Sequence, residues 1–304
     1  MLYAAIEGGG TKFVCAVGRS ATEVHENIVL PTTDPGTTLA ACVDFFVAAE
    51  HKFGPIDAIG FGCFGPLDLR MGSSTHGHVL MTPKPGWSRA NLLAPLRSRF
   101  RVPIAIDTDV AAAALAEWRL GGGRGFGSVA YVTVGTGIGA DLAPRDRLTN
   151  RFMHPEMGHI GVRRDTRDTF AGVCPFHGDC LEGLASGPAI HTRWGCKLAE
   201  LPPQHEGWSI IGGYLGQLAA TMALMLPIEC IIFGGGVMAN GLVLPYIRTA
   251  AAGSLNGYLQ PLSHAGALDR FITRPTLAGR AGIVGALLLA ESVNPNRGDR
   301  NDLR

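Results

Sequence analysis

The sequence is poor in charged and aromatic residues and has no excess of either charge sign. Of its 304 residues only 17% are charged and 7% aromatic, and 26 basic residues against 25 acidic residues leave a net charge of +1. A protein that binds nucleic acid or an anionic membrane needs a concentration of positive charge. We therefore expect neither nucleic acid nor a membrane surface as a partner.

Long uninterrupted hydrophobic runs are also missing. The first residues, MLYAAIEGGG, contain neither a basic leader nor an apolar stretch long enough for a signal peptide. The most apolar stretch, residues 219–238, is interrupted by Pro227, Glu229 and three consecutive glycines. Since a membrane span needs about 20 mostly apolar residues, this stretch is predicted to be a buried helix followed by a buried strand.

Cysteine is sparse, whereas glycine and apolar residues are plentiful. Seven cysteines, an odd number, are spread thinly along the chain, which indicates reduced thiols and a cytoplasmic location, with some thiols available as metal ligands. The 42 glycines are clustered and not periodic, which excludes a collagen-like chain and indicates tight loops. A hydrophobic fraction of 46% supplies a large core.

Strand and helix signals alternate, which predicts an α/β fold. A strand, glycine turn and strand at residues 2–17 recur at 129–142, which suggests duplication of one domain plan. We expect a smaller domain over 1–115, a larger one over 116–292, a helix over 278–292 that packs back onto the first domain, and a frayed tail over 293–304. The predicted strands are 2–6, 13–17, 56–64, 102–106, 129–134, 140–142 and 228–233, and the other helices are 38–53 and 110–120.

Three glycine-rich loops follow predicted strands, at residues 7–12, 135–139 and 234–236. Glycine leaves backbone N–H groups bare, so such loops can surround phosphate oxygens. None of them matches the Walker P-loop or the dinucleotide fingerprint, and a plain hairpin turn explains any one loop taken alone. The three together, with Thr11 and Thr136 in two of them, favour a site for nucleotide phosphates.

Two carboxylates, Asp107 and Asp109, end the predicted strand IAIDTD. In α/β sheets this end of a strand is where ligands bind. Asp109 is either a base that accepts a proton from a substrate hydroxyl or the cap of a helix that begins at Val110. The two side chains share one face only if the strand continues through Asp109.

Four nitrogen and sulfur ligands, His159, Cys174, His177 and Cys180, have the spacing of a metal site. Tetrahedral zinc binds this set, and four protein ligands make a zinc ion structural, not catalytic. The alternative is a coincidental cluster. Glu156 and Glu182 flank these ligands and are either carboxylates that hydrogen-bond a polyol or exposed groups of the loop.

The motifs in this order resemble the ROK family of sugar kinases, and within it the bacterial fructokinases. The resemblance covers nearly the whole chain. The matching segments are IEGGGTKFVCAVG, GFGCFGPLD, TPKPGW, IDTDVAAAALAEW, TVGTGIGAD, HPEMGHIGV, CPFHGDCLEGLASGPA and IIFGGGVM.

The resemblance implies an actin-like ATPase (ribonuclease H-like) fold, with two α/β domains and a cleft between them. It implies ATP and Mg²⁺ as cofactors, a structural Zn²⁺ and a homodimer. Asp109 matches the general base, and the matched sugar-binding residues are Glu156, His159 and Glu182, with Thr108 at the family's usual Asn position. The matched ATP-binding residues are Gly8, Gly9, Gly10, Thr11, Lys12, Thr133, Gly135, Thr136, Gly137, Gly234, Gly235 and Gly236, and the zinc ligands are His159, Cys174, His177 and Cys180.

The chain departs from the wider family at three positions. Thr108 and Ala111 stand where the family usually carries Asn, and Glu7 stands where many members carry Asp.

The segments TPKPGW and CPFHGDC look like the fructokinase branch, so the expected reaction is ATP-dependent phosphorylation of D-fructose at its 6-hydroxyl. The alternatives are a glucokinase or mannokinase, or a catalytically idle sugar sensor. A DNA-binding repressor of the family begins with a helix-turn-helix, whereas this sequence is expected to enter its first strand at Leu2.

Overall fold

A computed structural model describes residues 1–144 and 153–294. These residues form two compact units, one of Met1–Ala116 with residues 153–154 and 280–294, the other of Glu117–Pro144 and Pro155–Gly279. Of the expected tail, Asn294 is buried and its Nδ2 donates to the Tyr3 hydroxyl at 3.2 Å. Residues 295–304 lie outside the described residues.

The first unit is built on a five-stranded sheet in the order β3-β2-β1-β4-β5. Strand β1 pairs antiparallel with β2 and parallel with β4, so the carboxyl ends of β1, β4 and β5 meet at one edge. The elements of this unit are β1 (Tyr3–Gly8), β2 (Lys12–Ser20), β3 (Glu23–Pro31), α1 (Pro35–Phe53), β4 (Ala58–Cys63), α2 (Ala94–Arg99), β5 (Ile104–Thr108), the start of α3 (Asp109–Leu120) and the C-terminal helix α9 (Ala281–Ser292).

The two faces of this sheet carry side chains of different size. On β4 the large residues Ile59 and Phe61 point into a core with α1, whereas Gly60 lies on the opposite face. Helix α9 packs on β1 and β4, and a Cβ added at Gly60 would lie 1.8 Å from the carbonyl oxygen of Ala286. A side chain at position 60 would therefore push α9 off the sheet.

The second unit repeats the hairpin-plus-parallel plan with four strands in the order β7-β6-β8-β9. Strand β6 pairs antiparallel with β7 and parallel with β8, as β1 does with β2 and β4. The predicted repeat is therefore confirmed as a repeated hairpin. The elements are β6 (Val129–Val134), β7 (Ile138–Ala143), α4 (Leu181–Ala185), α5 (Gly187–Trp194), α6 (Gly207–Met225), β8 (Cys230–Gly234), α7 (Leu244–Leu255), α8 (Ala267–Phe271) and β9 (Ile272–Thr273).

All predicted strands and helices are confirmed, with ends shifted by a few residues, and residues 219–238 do form the end of α6 followed by β8. Strands β3 and β9 and helices α2, α4, α5, α7 and α8 were not predicted. The seven cysteines are free. Within residues 1–144 and 153–294, no helix combines the length and hydrophobicity that crossing a membrane requires.

Candidate functional site

The first glycine turn joins β1 to β2 at the sheet edge where three strand ends meet. The Gly9 N–H donates to the Lys12 carbonyl at 2.9 Å, which closes a tight turn. Thr32 holds the turn from the side, because its hydroxyl donates to the Gly9 carbonyl at 2.8 Å. A Cβ added at Gly10 would meet nothing within 4 Å, so the tip of the turn is open to a ligand.

Asp109 follows the end of β5 at the same edge. Strand β5 ends at Thr108 and α3 begins at Asp109, so Asp107 and Asp109 do not share one strand face. The cap of α3 is Thr108, whose buried hydroxyl accepts the Ala111 N–H at 3.1 Å. The interpretation of Asp109 as the cap is therefore wrong, and Asp109 is the first helical residue, with Oδ1 accepting the Val110 N–H at 2.9 Å.

Two carboxyl groups in this part of the first unit have raised pKa values. Burial raises the pKa of Asp109 to about 6, although the Val110 N–H opposes the shift. Burial, together with the nearby charge of Asp109, raises the pKa of Glu7 to about 7. Glu7 also accepts the N–H of Ile283 in the first turn of α9. Two carboxyls that titrate near neutral pH beside a glycine turn suit proton transfer.

The second and third glycine loops adjoin at one edge of the second sheet. They follow β6 and β8, which are parallel neighbours, so both loops lie at the carboxyl ends of these strands. Gly235 has a φ of +90°, and a Cβ there would lie 2.4 Å from the Val134 carbonyl oxygen. In the second loop the Gly135 N–H donates to the Gly137 carbonyl at 2.9 Å. Glycine is therefore required at position 235 for the two loops to meet.

The predicted metal ligands form one cluster in the second unit. The ligand atoms of His159, Cys174, His177 and Cys180 all lie within 4.8 Å of one another. Local backbone bonds explain the approach, since Cys174 and Gly178 exchange two hydrogen bonds, at 3.1 and 2.9 Å. The His159 segment is joined to this loop through the N–H of Leu181, the first residue of α4, which donates to the Ile160 carbonyl.

The separations between these atoms match tetrahedral zinc. Zn–N bonds of about 2.0 Å and Zn–S bonds of about 2.3 Å place neighbouring ligand atoms about 3.5 Å apart in a tetrahedron. Nδ1 of His159 lies 3.7 Å from the Cys174 sulfur and 3.5 Å from the Cys180 sulfur. Nδ1 of His177 lies 3.7 Å from the Cys174 sulfur. Two imidazoles and two thiols at these separations fit a zinc ion.

Glu182 links the cluster to the second glycine loop. Its Oε1 lies 3.9 Å from Nε2 of His159, the ring nitrogen opposite the one that faces the cysteines. Its Oε2 accepts the Ile138 N–H at 2.8 Å, at the start of β7. The other predicted sugar-binding carboxylate, Glu156, is exposed and accepts the His159 N–H through its backbone carbonyl at 3.0 Å.

The structure brings the predicted site residues together in two groups, one in each unit. The first unit contains Gly8–Lys12, Thr108 and Asp109, and the second contains the other two glycine loops, the predicted metal ligands and both carboxylates predicted to bind sugar. One cation at the first glycine turn was not predicted. The Lys84 ammonium donates to the Gly10 carbonyl. The feature of the sequence that could have indicated this cation is the segment TPKPGW, in which the lysine lies between two prolines.

Comparisons with known proteins cover nearly the whole chain. The sequence pattern described as "ROK family" matches residues 3–293. The fructokinase of Pediococcus pentosaceus is 38% identical, over 97% of this chain and 100% of its own length. The fructokinase of Zymomonas mobilis is 39% identical, over 95% of this chain and 96% of its own. A ROK family glucokinase from Streptomyces griseus, solved in complex with glucose and AMPPNP, aligns with a TM-score of 0.72 at 25% identity, covering 96% of this chain and all of its own.

Proposed function

Because this chain belongs to the ROK family, we propose that it transfers the γ-phosphoryl group of ATP to the 6-hydroxyl of D-fructose. The chain has the actin-like ATPase fold of the ROK kinases, as expected from its motifs. The observation that carries the choice of sugar is sequence identity: 38% and 39% to two fructokinases over nearly full length, against 26% to a glucokinase compared in the same way.

In the proposed reaction Asp109 accepts the proton of the sugar hydroxyl as that oxygen attacks the γ-phosphorus. Three features support this role: its place at a strand end, its pKa of about 6, and an orientation fixed by the Val110 N–H. A base with a pKa near the working pH is both largely ionised and strong enough to take the proton. Thr108 caps the helix that begins with this base, because its hydroxyl accepts the Ala111 N–H. The hydrogen of that hydroxyl is left to donate to the sugar.

The glycine loops supply the phosphate contacts of the proposal. Phosphoryl transfer depends mainly on alignment and charge neutralisation, and bare backbone N–H groups provide both. The ATP contacts are proposed at Gly8–Lys12, Thr133–Gly137 and Gly234–Gly236. Mg²⁺ would neutralise phosphate charge when bound, and the carboxylate oxygens of Glu7 are hard donors of the kind that this ion prefers.

The metal cluster holds the sugar-binding side of the second unit in the same proposal. A zinc ion on His159, Cys174, His177 and Cys180 would fix the ring of His159, and its Nε2 and the Glu182 carboxylate would then bind sugar hydroxyls together with Glu156. The separations of 3.5–3.7 Å among the ligand atoms support zinc. A cytoplasmic location, supported by seven cysteines that form no disulfide, and a homodimer complete the proposal.

The substrate is tested by measuring ADP release from ATP and Mg²⁺ with each of several hexoses. The purified, zinc-replete protein is given fructose, mannose, glucose or an N-acetylated hexosamine in turn. We expect kcat/KM for fructose to exceed the value for every other sugar. Higher turnover of glucose or mannose would keep the sugar kinase and reject fructose, and no turnover of any sugar would favour a sugar sensor.

The rate of fructose phosphorylation is expected to fall below about pH 6. The base must be ionised to accept a proton, and the pKa of Asp109 is raised to about 6. The rate should therefore rise with pH through this value and level off above it, with the raised pKa of Glu7 broadening the transition. The measurement is kcat/KM for fructose between pH 5 and 9. A rate unchanged down to pH 5 would contradict the assigned base.

A further inference from the structure

The segment that follows β4 carries a lysine to the first glycine turn, and its anchor is rigid. Trp87 is fully buried, and its ring lies against Phe13 and Phe64, with centroid distances of 5.4 and 5.2 Å. The Trp87 indole N–H donates to the Thr33 carbonyl at 2.8 Å. Phe13 is the second residue of β2, directly after Lys12. The anchor therefore rests on the strand that leaves the turn.

Lys84 is placed by that anchor at the tip of the turn. The Trp87 N–H donates to the Lys84 carbonyl at 3.2 Å, and the Lys84 N–H donates to the Thr82 hydroxyl at 3.3 Å. The Lys84 ammonium donates to the carbonyl of Gly10. Gly10 has open space on its side-chain side, so a ligand in the turn would lie beside the carbonyl that the ammonium contacts.

The charge of Lys84 has no carboxylate partner within residues 1–144 and 153–294. Its side chain is half-buried, and the one side-chain bond that it makes among these residues goes to a neutral carbonyl. Lys12 differs, because its charge acts on Glu7 and opposes the rise in the pKa of that carboxyl. A half-buried cation that has only a carbonyl for a partner is better stabilised by an anion.

We propose that Lys84 is a catalytic residue that binds the oxygens of the transferring phosphoryl group. The inference rests on the proposed function, because it needs phosphoryl transfer at this turn. In that step the sugar oxygen forms a bond to the γ-phosphorus, the bond from phosphorus to the ADP oxygen breaks, and Asp109 takes the hydroxyl proton. Lys84 transfers no proton. Its ammonium has three donors, so it can keep its bond to Gly10 while it binds two phosphoryl oxygens.

Replacing Lys84 by methionine is expected to lower kcat for fructose about a hundredfold, the effect of removing one donor that stabilises transition-state charge. The Michaelis constant for fructose should change little, because the lost contact is to the phosphoryl group. Lys84→Arg, which keeps the charge, should retain most of the activity. The matched control is Lys52→Met: Lys52 is an exposed lysine paired with Glu26 at 2.7 Å, and its loss should leave kcat unchanged.

A second measurement separates this role from a mere tether of the loop. With ADP, Mg²⁺ and fructose, aluminium fluoride imitates the transferring phosphoryl group and should tighten ADP binding to the wild-type protein. Lys84→Met should lose that tightening while its thermal unfolding midpoint stays close to that of the wild type. A tether role predicts the opposite: a lowered midpoint with the tightening kept. If Lys84→Met does not fold, Lys84→Gln, whose amide can still donate to Gly10, replaces it in the same measurements.

The wild-type result distinguishes failure of this inference from failure of the proposed function. If the wild type phosphorylates fructose and Lys84→Met keeps both kcat and the effect of aluminium fluoride, the role of Lys84 is wrong and the function stands. If the wild type prefers another hexose, the substrate is wrong and the same variants test Lys84 with that sugar. If it phosphorylates no sugar, both are wrong.

Discussion

Replacing Asp109 by asparagine is expected to lower kcat for fructose by about three to four orders of magnitude, the upper part of the range for general base catalysis. This loss equals about 4–5.5 kcal/mol of transition-state stabilisation. Asparagine keeps the oxygen that accepts the Val110 N–H but cannot take a proton from the sugar. ATP binding should be retained, because the change alters neither the glycine loops nor Lys84. Turnover is measured by ADP release and ATP binding by calorimetry.

The matched control is Asp107→Asn, two residues earlier on the same strand end. Its Oδ1 accepts the Thr108 N–H at 2.8 Å, so the same chemical change is made to a carboxylate with a similar local bond. If Asp107→Asn abolished turnover and Asp109→Asn kept it, the base would be Asp107.

Stability supplies an independent control for the Asp109 variant. Burial raises the pKa of Asp109 above that of an unfolded chain, so the ionised side chain destabilises the fold above about pH 6 and ceases to do so as the pH falls. Asp109→Asn should therefore unfold at the same or a higher temperature than the wild type at pH 8. An inactive variant that is also less stable at pH 8 would point to a damaged fold and not to a missing base.

The second large effect is expected at the metal cluster. Cys180→Ser should lose bound zinc and lower the thermal unfolding midpoint by about 5–10 °C, which for a unit of this size corresponds to a few kcal/mol. Structural zinc contributes about 10–16 kcal/mol in zinc-finger peptides, and here it would order one loop within a folded unit. A serine hydroxyl cannot replace the thiolate that zinc prefers. Zinc is measured by elemental analysis and unfolding by circular dichroism.

Cys196→Ser is the matched control for the zinc ligand. Cys196 is a half-buried cysteine outside the cluster, and its substitution should leave the zinc content unchanged. Zinc at one equivalent in Cys180→Ser would refute the ligand assignment. Zinc loss should also raise the Michaelis constant for fructose, because Glu182 joins His159 to the N–H of Ile138.

The features that the sequence predicts well depend on neighbouring residues. Buried strands such as β4 and β8 are short apolar runs that end at glycine or a polar residue, so their patterns are visible without the fold. The metal cluster was visible because Cys174, His177 and Cys180 lie within seven residues and their chemistry is specific to soft metals. Strand β3 gave no signal, since it is an edge strand with side chains exposed on both faces.

The features that the sequence did not predict depend on residues distant in the chain. Lys84 and Gly10 are 74 positions apart, and Glu182 and Ile138 are 44 apart, so no local pattern contains either contact. The cap of α3 was missed for a different reason. Thr108 and Asp109 both have side-chain oxygens that can cap a helix, and only the position of the first helical residue decides between them.

The packing of α9 bears on the order in which the chain matures during synthesis. The ribosome makes β1 and β4 early, but the helix that covers one face of their sheet follows more than 200 residues later, after the whole of the second unit. Gly60 and its neighbours on that face remain exposed until α9 emerges. The second unit can thus be complete first, and the unit that carries Asp109 and Lys84 is completed only after α9 has been made.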